Sequence, residues 1–268
     1  MADIKVVVAG AGGRMGVANI RAIAASTGLS LHGALARAGT SVLGQDAGLF
    51  AGIAALGVTI TDDIDAALAG ADAIIDFTAP NATVAHARLA AQHGLVHIIG
   101  TTGCSDDDIA AIAQAAKNGA RVVMSGNFSM GMVVLANLVE KAAAALADYD
   151  VEILEMHHNK KVDAPSGTAL LLGEAAAKGR NISLRDHSVR VRDGHTGVRE
   201  AGTIGFAALR GGNVIGDHMV ILAGASERIE LNHRAQDRTI YANGAMRAVR
   251  WAVSQPAGLY AMTDVLGL

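Results

Sequence analysis

The sequence predicts an α/β protein: a doubly wound parallel sheet, followed by a second α+β domain built on a mixed sheet. Three observations carry this. Apolar strand-like runs alternate with helical stretches of about 10–15 residues through the first half. A glycine-rich turn directly follows the first such run and opens a helix. Past Asn127 the alternation gives way to strand-like runs in succession, which need antiparallel or mixed pairing.

The elements follow in order. Ile4–Ala9 is the first strand, and the glycine turn leads into a helix over Met15–Ala25. Leu31–Ala36 and Ala73–Phe77 are the next strands. A helix over Val84–His93 stops at Gly94, a residue suited to the left-handed conformation of a helix C-terminus. Val96–Ile99 is a strand. Ser105 then caps a helix with Asp106, Asp107 and Asp108 at the positive end of its dipole, ending near Gly119. Arg121–Ser125 completes the alternating half. A long helix over Gly131–Leu146 leads to a strand over Val151–Met156, and a further helix starts near Ser166. Strand-like runs come at Ser188–Arg192, Thr203–Leu209, Val214–Ala223 and Arg228–His233. Asn243–Val253 is helical and is expected to return to the first domain.

Composition bounds the function. The 268 residues are ample for a core, and a net charge of −3 offers no electrostatic reason for a nucleic-acid or anionic-membrane partner. Only 3% of residues are aromatic against 51% hydrophobic, with 32 Gly, which favours close helix-on-sheet packing over a ring-lined pocket. Cys104 is the single cysteine, so an intrachain disulfide is impossible and no cysteine-built metal site is expected. No apolar run approaches the ~18 residues of a spanning helix, since Glu140 and Lys141 cut the longest. Met1–Lys5 runs straight into a strand rather than a signal peptide. A cytoplasmic protein is the expectation.

The turn reads Gly10-Ala11-Gly12-Gly13-Arg14-Met15-Gly16. Glycines let a backbone turn tightly and approach a pyrophosphate, which then sits on the helix N-terminus. The spacing is Gly10-x-x-Gly13-x-x-Gly16 rather than G-x-G-x-x-G, because the third place holds Met15. An ordinary turn could carry such glycines. After a first strand inside a βαβ series they point to a Rossmann-like dinucleotide site. Residues about 20 positions on discriminate the ribose, and Leu35-Ala36-Arg37 has no carboxylate there. Arg37, with Arg14, suits a 2′-phosphate; the alternative is two solvated arginines. NADPH is favoured, with NADH also admitted. Gly100-Thr101-Thr102-Gly103 and Ser125-Gly126-Asn127-Phe128-Ser129 lie just past strand ends, where ligands of a doubly wound sheet bind, though each alone could be a plain loop.

A second constellation is Glu155-Met156-His157-His158-Asn159-Lys160-Lys161-Val162-Asp163-Ala164-Pro165-Ser166-Gly167-Thr168. It sets two imidazoles and two lysines before a helix start, whose amides and hydroxyls accept an anion. A lysine holds a carboxylate as a point charge, and a histidine is the natural proton donor near neutrality. A metal reading fails, since adjacent histidines on a strand point to opposite faces. Cys104 reads as a small packed residue, and Asp76 as orienting a loop. Arg190, Arg192 and Arg238 have two readings, substrate contact or sheet support.

These segments, with Gly194-His195-Thr196-Gly197, Gly202-Thr203-Ile204-Gly205-Phe206 and Ala242-Asn243-Gly244-Ala245, occur in an order that resembles the 4-hydroxy-tetrahydrodipicolinate reductase (dihydrodipicolinate reductase) family of the diaminopimelate route to lysine. The likeness spans essentially the whole chain, and the block from His157 to Thr168 is its specific part. It implies cofactor contacts at Gly10, Ala11, Gly12, Gly13, Arg14, Met15, Gly100, Thr101, Thr102, Ser125, Gly126, Asn127 and Phe128, with Arg37 beside the adenosine phosphate. It implies His157 as proton donor, Lys161 as second catalytic residue, and His158, Gly167 and Thr168 as substrate carboxylate contacts. Many members carry an acidic residue just before that arginine; Ala36 stands here, in line with NADPH. The implied reaction passes hydride to C4 of a cyclic unsaturated dicarboxylate, with closure of two domains over it. The implied assembly is a homotetramer through the second domain's sheet. The expected division is 1–127 plus 240–268 for dinucleotide binding and 128–239 for substrate binding and oligomerisation. Two rivals remain: another two-domain Rossmann dehydrogenase, which would need a differently placed Cys or Lys, and a non-catalytic NADPH-binding regulator.

Overall fold

The computed structural model describes residues 2–268. The chain begins β1 (Ile4–Ala9), α1 (Arg14–Ala24), β2 (Leu29–Leu35), α2 (Ala47–Phe50), β3 (Ile60–Thr61) and α3 (Ile64–Leu68). It continues β4 (Ala73–Asp76), α4 (Pro80–His93), β5 (Val96–Ile99), α5 (Asp106–Lys117), β6 (Arg121–Met124) and α6 (Met130–Ala145). Then come β7 (Asp150–His157), α7 (Gly167–Gly179), α8 (Leu184–His187), β8 (Ser188–Val189), β9 (Ile204–Arg210), β10 (Asp217–Ala223) and β11 (Arg228–Arg234). The chain ends with α9 (Thr239–Ala252), β12 (Gly258–Tyr260) and α10 (Met262–Leu266). Two compact units result: residues 2–130 with Thr239–Gly267, and Gly131–Arg238.

In the first unit seven strands pair in the order β12-β6-β5-β4-β1-β2-β3, parallel throughout. Every residue of β4 and β5 is buried, as expected of strands covered on both faces. Val7, Ile74, Ile99 and Val122 pack against Ala87 and Ala90 of α4 and Ile112, Ala115 and Ala116 of α5. The small alanines let helices lie close to the sheet, and each buried Val or Ile contributes about 1.5–3 kcal/mol. Local signals set the helix ends. Ser105 and Asp108 form a reciprocal capping box at α5, and Gly94 closes α4 at φ +63°. Helix α4 begins at Pro80, earlier than the Val84 expected, because proline is pre-set for the first helical position. The winding reverses between β1 and β4, with β2 and β3 to one side and β5 and β6 to the other. Such a switch point is where open α/β sheets bind ligands.

The second unit holds a mixed sheet in the order β11-β10-β7-β9-β8. Strands β7, β9 and β8 run parallel, and β10 is antiparallel to both β7 and β11. Strand β7 alternates strictly: Val151, Ile153, Glu155 and His157 are buried, while Glu152, Leu154 and Met156 are half-exposed on the other face. Val151, Ile153, Phe206, Val220 and Leu222 form a core with Leu135 and Val139 of α6 and Leu172 and Ala176 of α7. Two expected strands are shorter than their apolar runs. The one expected through Arg192 stops at Val189, and Arg192 instead chelates Glu152 at 2.7 and 2.8 Å. The one expected from Val214 starts at Asp217, because the Val214 and Gly216 carbonyls accept from His158 and Ala235 amides outside the ladder.

Candidate active site

At the end of β1, Gly10 takes φ +73°, a backbone region L side chains rarely enter, and a Cβ there would lie 3.0 Å from Thr78 Cγ2. Gly16, in the first turn of α1, sits so close that a Cβ would collide with the Gly10 carbonyl. Helix α1 has Gly13 as its N-cap and no capping side chain. Gly12, Gly13 and Arg14 are exposed, while Ala11 is buried and Met15 half-buried. The result is a backbone cradle at a positive helix end, fitted to a pyrophosphate in shape and charge. Arg37 is exposed just beyond β2, in a turn closed by Thr40 Oγ1 donating to its carbonyl at 2.8 Å.

The segments beyond β4, β5 and β6 are tied together by buried polar contacts. Thr101 is buried, and its hydroxyl is engaged with Thr83 Oγ1 at 2.7 Å and receives the Thr78 amide at 3.0 Å. Its side chain therefore builds the loop, leaving only its backbone to offer a ligand; Thr102 is exposed. Beneath it, Asp76 is wholly buried. Its Oδ1 accepts from Thr78 N at 3.0 Å and Thr78 Oγ1 at 2.6 Å, and its Oδ2 meets His86 Nδ1 at 2.7 Å and His97 Nε2 at 3.3 Å. Burial pushes the Asp76 carboxyl up, but the hydrogen bonds and charge of His86 and His97 outweigh it and hold the group well below the carboxylate range. In the β6 loop, Ser125 Oγ donates to the Asn127 carbonyl at 2.7 Å and Asn127 Oδ1 accepts from Ser129 N at 2.8 Å. Phe128 is buried with its ring 5.5 Å from that of Phe77, and the latter covers Gly100 so closely that any Cβ there would strike it. Gly126 is exposed.

In the second unit, His157 is the last residue of β7 and faces inward, while His158 leaves the strand and donates its amide to Val214 at 2.8 Å. Lys161 Nζ lies 2.8 and 2.9 Å from the Asp163 carboxylate oxygens. Ser166 is the N-cap of α7, its hydroxyl accepting from Ala169 N at 3.0 Å, which leaves Gly167 and Thr168 in the first turn. Proton donor, lysine and helix N-terminus, the candidates read from sequence, thus occupy one end of β7. Sequence reasoning gave no role to three residues there. Glu155 joins His157 Nδ1 at 2.6 Å, Arg210 binds Glu155 through both Nη atoms, and His218 stacks edge-on at 5.1 Å from the His157 ring with Nε2 3.0 Å from Ser166 Oγ. Burial, then the charge of His157, lower the His218 imidazole to about 4, so it is neutral at neutral pH. One signal pointed to Glu155: a charged residue on the apolar face of an alternating strand.

Other candidates are settled by their surroundings. Burial and the charges of Asp108 and Asp76 raise the Cys104 thiol, the opposite of an activated nucleophile. Arg192 supports the sheet through Glu152. Among the described residues, no group of three or more His, Cys, Asp or Glu could hold a metal ion, and no helix is long and apolar enough to cross a membrane.

The strand order and the glycine cradle put the chain among the Rossmann-like folds of the dinucleotide-binding kind. Family models narrow this. Residues 4–128 match that of the dihydrodipicolinate reductase N-terminus and residues 131–266 that of its C-terminus. The chain is 59% identical over 267 residues to a 4-hydroxy-tetrahydrodipicolinate reductase of Rhizobium rhizogenes, covering 99% of this chain and 97% of that one. It is 60% identical over 264 residues to the Brucella abortus protein of the same name, covering 98% of each. A dipicolinate-bound dihydrodipicolinate reductase from Paenisporosarcina sp. TG-14 shares the fold, with TM-score 0.79 at 23% identity and 98% coverage of both chains. The chain belongs to the dihydrodipicolinate reductase family.

Proposed function

We propose that this protein reduces 4-hydroxy-tetrahydrodipicolinate to tetrahydrodipicolinate with NAD(P)H, in lysine synthesis through diaminopimelate. The observation that carries the reading is His157, backed by a buried carboxylate, at the end of a strand that leads through Lys161 into the N-terminus of α7. The names of the relatives at 59 and 60% identity, and dipicolinate in a solved neighbour, support a cyclic dicarboxylate as substrate.

In this reading the unit of 1–127 plus 240–268 binds the dinucleotide and 128–239 the substrate. The cradle of Gly10, Ala11, Gly12, Gly13, Arg14 and Met15 holds the pyrophosphate. Gly100, Thr101, Thr102 and the Ser125–Phe128 turn hold the nicotinamide end. Arg37, with no carboxylate beside it, favours the 2′-phosphate of NADPH. When bound, the reduced nicotinamide supplies hydride to C4 of the substrate's conjugated C=C–C=N system, formed as the 4-hydroxyl leaves as water. The amides of Gly167 and Thr168, with His158 and Lys161, orient the substrate by its carboxylates and offset charge that develops on the ring. His157 gives its Nε2 proton to the resulting carbanion-like carbon and is recharged from solvent. A homotetramer is part of the reading, supported by the open face of the second unit's sheet, where Leu154, Met156, Met219 and Ile221 are half-exposed and Leu209 is 47% exposed. So is a cytoplasmic location.

The test is the loss of reduced-nicotinamide absorbance, with substrate generated from pyruvate and aspartate semialdehyde by the preceding synthase. Oxidation requiring both this protein and the substrate, faster with NADPH than NADH, is expected. NADPH binding without oxidation would overturn the enzyme reading in favour of a regulator.

A further inference from the structure

The groups around His157 converge on one carboxylate. Glu155 is 1% exposed, and each of its oxygens takes two donors. Oε2 accepts from His157 Nδ1 at 2.6 Å and Arg210 Nη1 at 2.8 Å; Oε1 accepts from Arg210 Nη2 at 2.9 Å and the Ser166 amide at 3.1 Å. Arg210 reaches Glu155 because β9 runs parallel to β7 and brings the two residues together from 55 positions apart. The same guanidinium donates to the Asp163 carbonyl at 2.7 Å, and the Asp163 side chain holds Lys161. Three parts of the proposed substrate site therefore hang on Glu155: the proton donor directly, the α7 N-terminus through Ser166, and the lysine through Arg210 and Asp163.

We propose that Glu155, clamped by Arg210, is the positioning residue for proton transfer in this reaction, holding His157 with its proton on Nδ1 and aiming Nε2 at the substrate. The inference rests on the reading of His157 as proton donor. Chemistry supports the division of labour. An imidazolium donates from Nε2: that N–H bond breaks, the electron pair stays on nitrogen, and the neutral ring keeps Nδ1–H pointed at Glu155. The carboxylate stabilises the charged donor without taking the proton itself. Burial alone would raise the Glu155 carboxyl, but hydrogen bonds from Arg210 and His157 prevail and keep it low, so it remains ionised. A four-donor carboxylate has no lone pair free for a second orientation, so the ring is fixed rather than merely attracted. Gly216 completes the arrangement, since a Cβ there would stand 3.0 Å from His157 Nε2 and obstruct it. The ionisable groups around His157 are Glu155 on its own strand, Arg210 from β9, His218 from β10 with His233 beyond it on β11, and the Lys161–Asp163 pair. Of these Glu155 alone touches its ring nitrogens with a negative charge.

The deciding variant is Glu155→Gln, which keeps shape and removes charge. Its kcat should fall about 10²-fold. The basic limb of the kcat/KM–pH profile should move about one unit lower, because the imidazolium loses its counter-charge, while NADPH affinity stays within about twofold. Combined with His157→Gln it should add almost nothing to the loss of His157→Gln alone. An unmoved basic limb, with activity lost only in proportion to folded protein, would make Glu155 structural and overturn the inference. Should Glu155→Gln not fold, ¹⁵N-histidine NMR of the unsubstituted protein decides. Neutral His157 must be the Nδ1–H tautomer, and an Nε2–H tautomer refutes the proposal. The two readings separate cleanly: a fully active His157→Gln removes the proton-donor role itself, whereas a crippled His157→Gln beside an unmoved Glu155→Gln limb removes only the positioning role.

Discussion

Asp76 in the first unit and Glu155 in the second are both buried carboxylates near the end of a strand that leads into candidate site residues, and both have their oxygens filled with hydrogen bonds. Their partners differ. Asp76 is held by hydroxyls, an amide and the imidazoles of His86 and His97, with no guanidinium. Glu155 is held by Arg210 in a two-pronged contact and passes its remaining reach to one imidazole and one helix amide. The first arrangement spends a carboxylate on fixing the backbone of the loop around Thr101. The second keeps a permanent cation at the carboxylate's side, so its negative charge is secure beside the imidazole of His157. One fixes a loop; the other holds the histidine proposed as proton donor.

The largest effect expected on activity comes from His157→Gln. General acid catalysis contributes roughly 10²–10⁴-fold, so kcat at saturating NADPH and substrate should drop by that range, with NADPH affinity unchanged. Stopped-flow turnover beside a binding titration measures both. Wild-type kcat would dissolve the contrast between the two carboxylates, leaving two structural clusters.

Asp76→Ala tests the other side. It strands the two imidazoles and the Thr78 groups in a dry site, which costs about 3 kcal/mol or more of stability. The urea midpoint should fall accordingly, while kcat of the folded fraction at saturating NADPH stays within about threefold. A large kcat loss at unchanged stability would show that Asp76 acts on the reaction as Glu155 is proposed to.

The pH dependence of stability separates the units by their histidines. His218, 5% exposed, is lowered from its ordinary value near 6.5 to about 4. Above pH 6.5 both folded and unfolded chains carry it neutral, and its full contribution to stability is present. As pH falls from about 6.5 to 4, the unfolded chain takes up a proton that the folded one refuses, so stability declines, by about 3 kcal/mol for a shift of this size. His97 of the first unit is also lowered, by burial, and adds loss in the same direction. The Asp76 carboxyl, depressed when folded, adds its own loss only at lower pH, once the unfolded carboxyl begins to protonate near 4. Urea midpoints between pH 7.5 and 4 should therefore slope downward, and His218→Gln should make that slope shallower. An unchanged slope would assign the acid sensitivity to other groups, among them His97 and His233, both lowered by burial.

Much of this was legible in the residues. The parallel sheet is announced by short apolar runs at Ile4–Ala9, Ala73–Asp76 and Val96–Ile99, because strands covered on both faces have no polar side to show. Ser105 and Gly94 mark helix ends by local hydrogen bonding or φ alone. His157, Lys161 and the Ser166-Gly167-Thr168 start are neighbours in sequence, so their grouping needed no tertiary knowledge. What lay hidden depends on pairing between distant segments. Arg210 reaches Glu155 only through the β7–β9 register, and His97 and Thr101 reach Asp76 only through the β4–β5 pairing. Arg192 defeated a strand expectation because a half-buried carboxylate, Glu152, was a better partner for its guanidinium than the ladder was for its amide. The two-residue strand β3 has no periodicity to read.

The smallest effect expected sharpens the comparison through two arginines. Arg210 is locked in a two-pronged contact with a buried carboxylate, so its removal disturbs the fold around it. Arg37 is exposed beyond β2, and replacing it by Ala leaves no buried partner stranded. Its loss should leave the urea midpoint where it was. If Arg37 meets the 2′-phosphate of NADPH, one charge-assisted contact at a solvated edge is worth about 1–2 kcal/mol, so the KM for NADPH should rise about tenfold. The KM for NADH, which has no such phosphate, should stay within about twofold. The ratio of the two kcat/KM values then falls by the same tenfold, and raising the salt concentration should reduce the wild-type preference in parallel. Equal rises for both cofactors would mean that Arg37 supports the cradle generally, and the absence of a carboxylate at Ala36 would then carry the preference alone.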